Sequence, residues 1–205
     1  MTIDSLFEQL KHPNPRLQER AMQELAEVRD EQTIPRLMEI LDEEDVAYRR
    51  AAVKALGVIG EDAVPSLVEV LLESDNATVR ASCTKALAQV SFNHPGDPFP
   101  EEGIRGLKAA IDDPNPVVHI AGAMALGQIG SPVFELVVEV LETTENLALA
   151  VALINALGSM GDSRAKEVLS RLEQDESKDS YIRESATSAL SRLDQVIGFR
   201  NLGSA

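Results

Sequence analysis

The chain has 205 residues with 34 acidic and 19 basic side chains, so its formal net charge is −15 at pH 7. That charge opposes binding to the phosphates of nucleic acids and to anionic membrane surfaces, although a local basic patch is compatible with it. The single cysteine, Cys83, excludes a disulfide framework and indicates a reducing compartment.

Hydrophobic residues make up 44% of the chain but aromatic residues only 3%, which predicts an aliphatic core. Residues 1–20 lack the basic and apolar regions of a signal peptide. A membrane-spanning helix needs about 18 apolar residues in succession, and the chain has no such run. We therefore expect a soluble cytoplasmic protein.

Two kinds of helix alternate along the chain. The first kind has apolar residues three and four positions apart, as at Leu37, Ile40 and Leu41. These first helices are predicted at residues 3–10, 34–41, 64–72, 102–111, 133–141 and 164–172. The second kind opens with Asn or Asp, which are favourable N-caps. These second helices are predicted at residues 14–28, 45–60, 76–90, 115–130, 146–161 and 179–193.

The second helix is a repeated unit, because each copy carries a leucine eleven residues after its cap. These leucines are Leu25, Leu56, Leu87, Leu126, Leu157 and Leu190. Successive copies lie 31 residues apart except for one insertion of eight residues and one of two, and self-similarity at such an interval marks a solenoid. We predict an all-α fold, a right-handed α-α superhelix of about six two-helix repeats. It forms one domain over residues 1–195, with an insertion loop at 91–100 and a C-terminal cap and tail at 196–205.

Fixed positions within the second helix carry glycines, small residues or a cation. Gly60 and its equivalents end three of these helices, where a left-handed backbone is inexpensive for glycine. Small residues such as Gly57 are expected to let neighbouring helices approach closely. Four residues after the cap, three repeats carry Arg49, Arg80 and Arg183, which we expect to bind the cap or the carbonyls of an adjacent repeat.

The pattern DVAYRRAAVKALGVIG at residues 45–60 resembles the HEAT family of α-solenoids. The 31-residue interval resembles more specifically the HEAT-like repeats of cyanobacterial phycobilin lyases of the E/F type and their relatives, which include phycobilisome-degradation proteins. The resemblance covers nearly all of residues 5–193. Stretches such as YRRAAVKALGVIG and ATVRASCTKALAQV also resemble bilin-biosynthesis-like HEAT proteins that dock on partners such as iron–sulfur carriers.

Groups suited to catalysis do not converge in this sequence. The histidines His12, His94 and His119 lack helical metal-ligand spacing, and one cysteine cannot complete a zinc or iron–sulfur site alone. Cys83 occupies a small core position and is expected to be a buried thiol, with a reactive thiol or bilin contact as the alternative. We predict no catalytic residue and no metal site, and the sequence leaves open whether any turnover occurs.

Residues five, nine and thirteen positions after each cap are expected to face the concave groove of the solenoid. We predict a partner-binding stripe formed by Arg50, Lys54, Lys85, Ile120, Met124 and Val151. A cluster of bases beside apolar residues is typical of a protein or ligand site. The alternative, that the inner helices bury these apolar residues against one another, stays open.

The insertion at residues 91–100 contains Phe92 and Phe99 together with three prolines. Long ordered loops often carry function. We expect at least one of these phenylalanines to fill the gap between the third and fourth repeats, while the other presents an aromatic anchor to a partner.

Three functions fit these features. The first is a non-catalytic scaffold that binds a partner protein in its groove. The second, implied by the resemblance, is a bilin lyase-like or chaperone-like protein acting on phycocyanobilin and phycobiliproteins, with or without a second subunit. In that role Arg50 and Lys54 suit bilin propionates, whereas Met124 and the aromatic residues suit the rings. The third is a docking factor for iron–sulfur cluster assembly.

Overall fold

The computed structural model describes residues 2–95 and 98–203, with side chains through Phe199. Within these residues the chain forms α-helices joined by turns and short 3-10 segments, and no β-strand occurs. The helices are α1 (Ile3–Leu10), α2 (Pro15–Val28), α3 (Thr33–Glu39), α4 (Val46–Ile59), α5 (Val64–Glu73), α6 (Ala77–Asn93), α7 (Glu101–Ile111), α8 (Pro116–Ile129), α9 (Phe134–Thr143), α10 (Leu147–Ser159), α11 (Ala165–Gln174) and α12 (Ser180–Gly203). The prediction of an all-α solenoid built from two-helix repeats is confirmed, and none of the described helices is long and apolar enough to cross a bilayer.

The predicted N-caps begin the second helices. The Asp45 carboxylate accepts hydrogen bonds from the backbone amides of Ala47 and Tyr48 at 2.8 and 3.1 Å. The equivalent side chains in the other repeats, Asn14, Asn76, Asn115, Asn146 and Asp179, accept from the amide two residues later. Because a helix leaves its first amides without a partner, these caps fix where each second helix starts.

Glycine ends three of the second helices, as predicted. Gly60, Gly130 and Gly161 have φ angles of 86°, 81° and 65°. This backbone region is unfavourable for residues that carry a Cβ atom, so glycine allows the chain to turn sharply towards the next first helix.

Two of the predicted segments begin inside helices. The insertion loop does not begin at residue 91, because α6 continues through Asn93. The helix ends there because His94 precedes Pro95, and a residue before proline is disfavoured in the helical conformation. The predicted cap and tail at 196–205 begins within α12, which runs unbroken through Gly203, and residues 204–205 lie outside the described part of the chain.

The repeats group into two compact units, Met1–Val118 and His119–Ala205. Each unit has an aliphatic core in which the repeated leucine is fully buried, as at Leu56 in the first unit and Leu157 in the second. Leu190 in the sixth repeat is only half-buried. The predicted single domain over residues 1–195 stays a prediction.

Glycines within the second helices mark places of very close helix approach, as expected. A Cβ atom on Gly57 of α4 would lie 2.3 Å from the Gln89 Cβ atom of α6. In the second unit, a Cβ atom on Gly158 of α10 would lie 2.8 Å from the Ala189 carbonyl oxygen of α12. Within each unit, these neighbouring second helices therefore pack side by side at matching positions of the repeat.

The predicted arginine ladder forms only in part. Arg80 donates from Nη1 to the Ser74 carbonyl at 2.9 Å, and its Nε and Nη2 donate to the Asp113 carboxylate of the next repeat at 2.6 and 3.0 Å. Arg49 donates to the Glu43 carbonyl of its own turn. Among the described residues the buried Nε of Arg183 has no hydrogen-bond partner. Of these three arginines, Arg80 is the one that forms an ion pair with another repeat.

Candidate functional site

The predicted bases of the first unit lie together in one open groove, which we call the basic groove. It has a volume of about 640 Å³. Its lining comprises Gln18, Met22, Val46, Ala47, Arg49, Arg50, Ala51, Val53, Lys54, Thr78, Ala81, Ser82, Lys85, Gln89 and Val117. The structure thus brings Arg50, Lys54 and Lys85 to one surface, formed chiefly by α2, α4 and α6.

Helix geometry explains this convergence. Arg50 and Lys54 are four residues apart on α4, so they lie on one face about one turn from each other. Lys85 stands nine residues after its cap, as does Lys54 after its own, and the close packing of Gly57 against Gln89 keeps the two helices in this register. The two lysines therefore lie at the same level of neighbouring helices.

The basic groove has a strongly positive lining for so acidic a chain. No Asp or Glu is among its described lining residues. Within residues 2–95 and 98–199, Arg50, Lys54 and Lys85 make no ion pair and no side-chain hydrogen bond, and all three are exposed. By contrast, Arg29 and Arg36 are paired with Asp62 and Asp4. The three groove cations are available to an anionic ligand.

A second depression, which we call the aromatic recess, adjoins the basic groove. It has a volume of about 240 Å³ and is lined by Pro15, Gln18, Glu19, Met22, Gln23, Lys54, Val58, Gln89, Phe92 and Asn93. Gln18, Met22, Lys54 and Gln89 line both depressions, so they form one continuous surface. Phe92 stands in the recess with 64% of its surface exposed.

The insertion places its two phenylalanines in different environments. Phe99 is half-buried, and its ring lies so close to Gly103 that a Cβ atom there would be 2.6 Å from it. Phe99 therefore packs against α7, whereas Phe92 at the end of α6 is free to contact a partner. His94 fixes this end of α6, because its Nε2 lies 3.1 Å from the Val58 carbonyl oxygen and its ring covers Gly60.

The predicted apolar residues belong to the second unit. Met124 on α8 is 67% exposed, while Ile120 on α8 and Val151 on α10 are half-buried. The alternative that the inner helices bury these apolar side chains against one another stays open for Ile120 and Val151, whereas Met124 is exposed. A groove continuous from the first repeat to the sixth stays a prediction.

Sequence reasoning missed two valines of the basic groove. Val46 and Val117 line it with 46% and 58% of their surfaces exposed. Each lies in the first turn after an N-cap, where the helix stripe gives no reason for an apolar side chain. An apolar residue at this position is the signal that would have identified them.

The titratable groups proposed as chemical candidates have structural partners or are buried. The backbone amide of Asn14 donates to His12 Nδ1 at 3.0 Å, and His119 is buried. Cys83 is fully buried, and burial raises the pKa of its thiol to about 12. Among the described residues there is no group of three His, Cys, Asp or Glu side chains that could hold a metal ion.

The chain matches a family of helical repeats and is similar in sequence to two cyanobacterial proteins. The family model for HEAT repeats matches residues 3–88 and 104–191. The chain is 58% identical over 200 residues to the uncharacterized phycocyanin operon protein Z of Pseudanabaena tenuis (strain PCC 7409), covering 98% of this chain and 99% of that protein. It is 32% identical over 174 residues to the bilin biosynthesis protein CpeZ of Synechococcus sp. (strain WH8020), covering 82% and 93%.

Solved structures of helical repeat proteins also match. The complex of CpcE and CpcF of phycocyanin lyase from Nostoc sp. PCC7120 aligns with a TM-score of 0.49 at 18% identity, covering 75% of this chain and 96% of that one. The archaeal HEAT-like repeats protein from Thermococcus onnurineus NA1 aligns with a TM-score of 0.44 at 18% identity, covering 94% and 80%.

Proposed function

The chain belongs to the HEAT-repeat family, and we propose that it serves phycobilin attachment by holding a bilin non-covalently in its basic groove. A relative at 32% identity is named a bilin biosynthesis protein. The observation that carries the proposal is the set of three unpaired cations, Arg50, Lys54 and Lys85, in a groove without carboxylates among its described lining residues.

The chemistry of a bilin matches this lining. A bilin is an open-chain tetrapyrrole whose two inner rings each carry a propionate, so it presents two carboxylates and a long apolar conjugated system. Carboxylates form strong charge-assisted hydrogen bonds with Lys and Arg. Met22, Val46, Val53 and Val117 supply the apolar part of the groove. Since the chain as a whole carries a charge of −15, a bilin dianion is attracted locally at the groove rather than by the overall field.

The burial of Cys83 indicates that the bilin is held non-covalently rather than by a covalent bond to this protein. Covalent attachment of a bilin adds a cysteine thiol across the double bond of a ring side chain, which requires an accessible thiolate. The Cys83 thiol is fully buried and its pKa is raised to about 12, so it does not react in the folded protein. The bond therefore forms on a cysteine of the phycobiliprotein, to which this protein presents the bilin.

A second candidate function is that of an adaptor that binds the phycobiliprotein without contacting the bilin. The observation that favours it is Met124, an exposed flexible apolar side chain of the kind used at adaptable protein-binding surfaces. Ile120 and Val151 add half-buried apolar surface in the same unit. The docking of iron–sulfur assembly proteins stays a prediction, and no observed feature favours it.

Titration with phycocyanobilin tests the first candidate. We expect the purified protein to shift and intensify the visible absorption of the bilin in a saturable manner. The triple variant Arg50→Glu, Lys54→Glu, Lys85→Glu should bind at least about tenfold more weakly, because one charge-assisted hydrogen bond contributes roughly 1.5 kcal/mol and about 1.4 kcal/mol is tenfold.

The matched control carries the same change of charge outside the groove, Arg105→Glu, Lys108→Glu and Lys178→Glu, and should bind as the unaltered protein does. An unchanged bilin spectrum at excess protein, or equal binding by both triple variants, contradicts bilin binding in the groove. If apo-phycobiliprotein is still captured in that case, and Met124→Glu abolishes the capture, the adaptor function takes its place.

A further inference from the structure

The geometry points to Phe92 as a stacking site for an outer pyrrole ring of the bilin, so that the bilin lies along α4 and α6 from the basic groove into the aromatic recess. This inference rests on the proposed function and adds an orientation to it: the propionates lie at the cations and one end of the chromophore lies at Phe92. It makes Phe92 a binding residue for the conjugated system, distinct from the residues that bind the carboxylates.

The lining of the two depressions gives the path of the ligand. Lys54 and Gln89 belong to both, and Met22 lies beside them on α2. A ligand whose carboxylate reaches Lys54 is therefore already at the entrance to the recess. Met22 and Val58 provide the apolar walls between this entrance and Phe92.

Helix spacing places Phe92 in line with the cations. Lys85, Gln89 and Phe92 are separated by four and three residues on α6, so they share one face of the helix. Phe92 stands seven residues after Lys85, which is about 10 Å along the helix axis. On the neighbouring α4, Lys54 and Val58 follow the same direction. The cationic end and the aromatic end are thus offset along one straight surface.

The position of Phe92 has no explanation in the fold itself. The chain has five phenylalanines and two tyrosines, and Phe7 and Phe134 are buried in the cores while Phe99 packs against Gly103. Phe92 is 64% exposed, although the helix that carries it is fixed by His94 at the Val58 carbonyl. A rigidly held, exposed aromatic ring at the end of a groove is the usual form of a binding anchor.

The arrangement of groups on a bilin fits this offset. Its propionates are on the two inner rings, so both outer rings extend beyond the carboxylates in opposite directions. When the carboxylates bind Arg50 and Lys54, which follow one another along α4, one outer ring extends towards Phe92. Stacking of two aromatic systems is favourable in the offset arrangement that an open recess allows.

Affinity measurements on Phe92 variants test the inference. We expect Phe92→Ala to weaken phycocyanobilin binding by about 2- to 12-fold, the range typical of one aromatic pair. The variant Phe92→Tyr keeps the aromatic ring and should bind the bilin as the unaltered protein does. The matched control is Phe199→Ala, which removes a phenylalanine that is 74% exposed on α12, outside both depressions. This control should bind as the unaltered protein does.

A fluorescence measurement reports contact directly. The chain has no tryptophan, so Phe92→Trp introduces a single reporter. Its emission should be quenched by phycocyanobilin with the same concentration dependence as the change in bilin absorbance. Circular dichroism of each variant shows whether the helices are retained.

The outcomes separate the two proposals. If the unaltered protein does not bind phycocyanobilin, the proposed function and this inference both fail. If it binds, and the groove charge-reversal variant loses binding while Phe92→Ala does not, the proposed function stands and this inference is overturned. An acidic peptide can also be used to displace the bilin, as followed by bilin absorbance. If the emission of the tryptophan at position 92 stays quenched after the bilin has left, the quenching does not come from the bilin and the inference is overturned.

Discussion

At the scale of single residues, Asp162 shows how one carboxylate connects neighbouring repeats. It follows Gly161 in the turn before α11, is 8% exposed, and accepts from the Arg164 Nη2 at 2.7 Å. The Arg164 guanidinium also stacks on the Phe134 ring at 4.3 Å and pairs with Glu135. Hydrogen bonding from Arg164 is the main reason that the pKa of Asp162 is lowered to about 2.

This lowered pKa predicts an acid-sensitive contribution to stability. An unfolded Asp takes up a proton near pH 3.8, whereas folded Asp162 does so near pH 2, so its contribution is present above pH 3.8 and is lost as the pH falls to about 2. We expect Asp162→Asn to lower the melting temperature at pH 7 by about 2–4 °C, corresponding to roughly 1 kcal/mol. The difference from the unaltered protein should shrink by pH 2.

Thermal unfolding followed by circular dichroism between pH 2 and pH 7 measures this effect. Glu135→Gln is the control, because Glu135 pairs with the same arginine but its side chain is 80% exposed, and exposed pairs contribute little. A pH-independent difference for Asp162→Asn would show that the carboxylate charge is not the cause.

At the scale of helices, the contact of α10 with α12 depends on the absence of a side chain. A Cβ atom on Gly158 would meet backbone atoms of Ala189, which cannot move as a flexible side chain could. We expect Gly158→Ala to destabilise the protein by about 1–3 kcal/mol despite the better helix propensity of alanine. The measurement is equilibrium unfolding in urea.

The same substitution elsewhere in α12 should have the opposite sign. A Cβ atom on Gly198 would have no neighbour within 4 Å. Gly198→Ala should therefore stabilise the helix by about 0.5–1 kcal/mol, the usual gain from replacing glycine inside a helix. If both substitutions change stability in the same direction, close packing is not the cause of the first effect.

Contacts between repeats also differ in strength according to burial. The Arg80–Asp113 pair has side chains that are 15% and 8% exposed, whereas Arg171–Glu142 has side chains that are 62% and 55% exposed. A double-mutant cycle to alanine should give a coupling energy of about 1–3 kcal/mol for the buried pair. The exposed pair should give less than about 0.5 kcal/mol. Equal coupling energies would mean that burial does not decide the strength of these links.

At the scale of the whole molecule, salt should act in opposite directions on stability and on bilin binding. Stability is opposed by the net charge of −15, whereas bilin binding is favoured by the charges of the basic groove. Raising the ionic strength from about 0.01 to 0.15 M shortens the screening length from roughly 30 to 8 Å. Self-repulsion then weakens, and we expect the melting temperature to rise by about 2–4 °C. Phycocyanobilin affinity should fall over the same range, because the attraction between propionates and groove cations is also screened.

Parallel thermal scans and bilin titrations at several salt concentrations test this pair of trends. The groove charge-reversal variant, which is more acidic by six charges, should be stabilised by salt more strongly than the unaltered protein. Bilin affinity that does not depend on salt would indicate that apolar contacts alone hold the ligand.

The sequence by itself determined the repeat. Caps, buried leucines and helix-ending glycines were predicted correctly because helix signals are local: a cap acts on the next three residues and the apolar stripe has a period of 3.6. It also predicted that Arg50, Lys54 and Lys85 share a face, since equivalent positions of neighbouring repeats align. The partner-binding role of these residues stays a prediction.

Only the tertiary structure decided which side chains find partners. The sequence could not say that Arg80 binds Asp113 while the Nε of Arg183 has no partner among the described residues, nor that Phe99 packs on Gly103 while Phe92 stays exposed. Such outcomes depend on residues in the next repeat, about 31 positions away, or on the exact path of a loop. Burial and pairing are properties of packed neighbours, and a helical period fixes only the direction in which each side chain points.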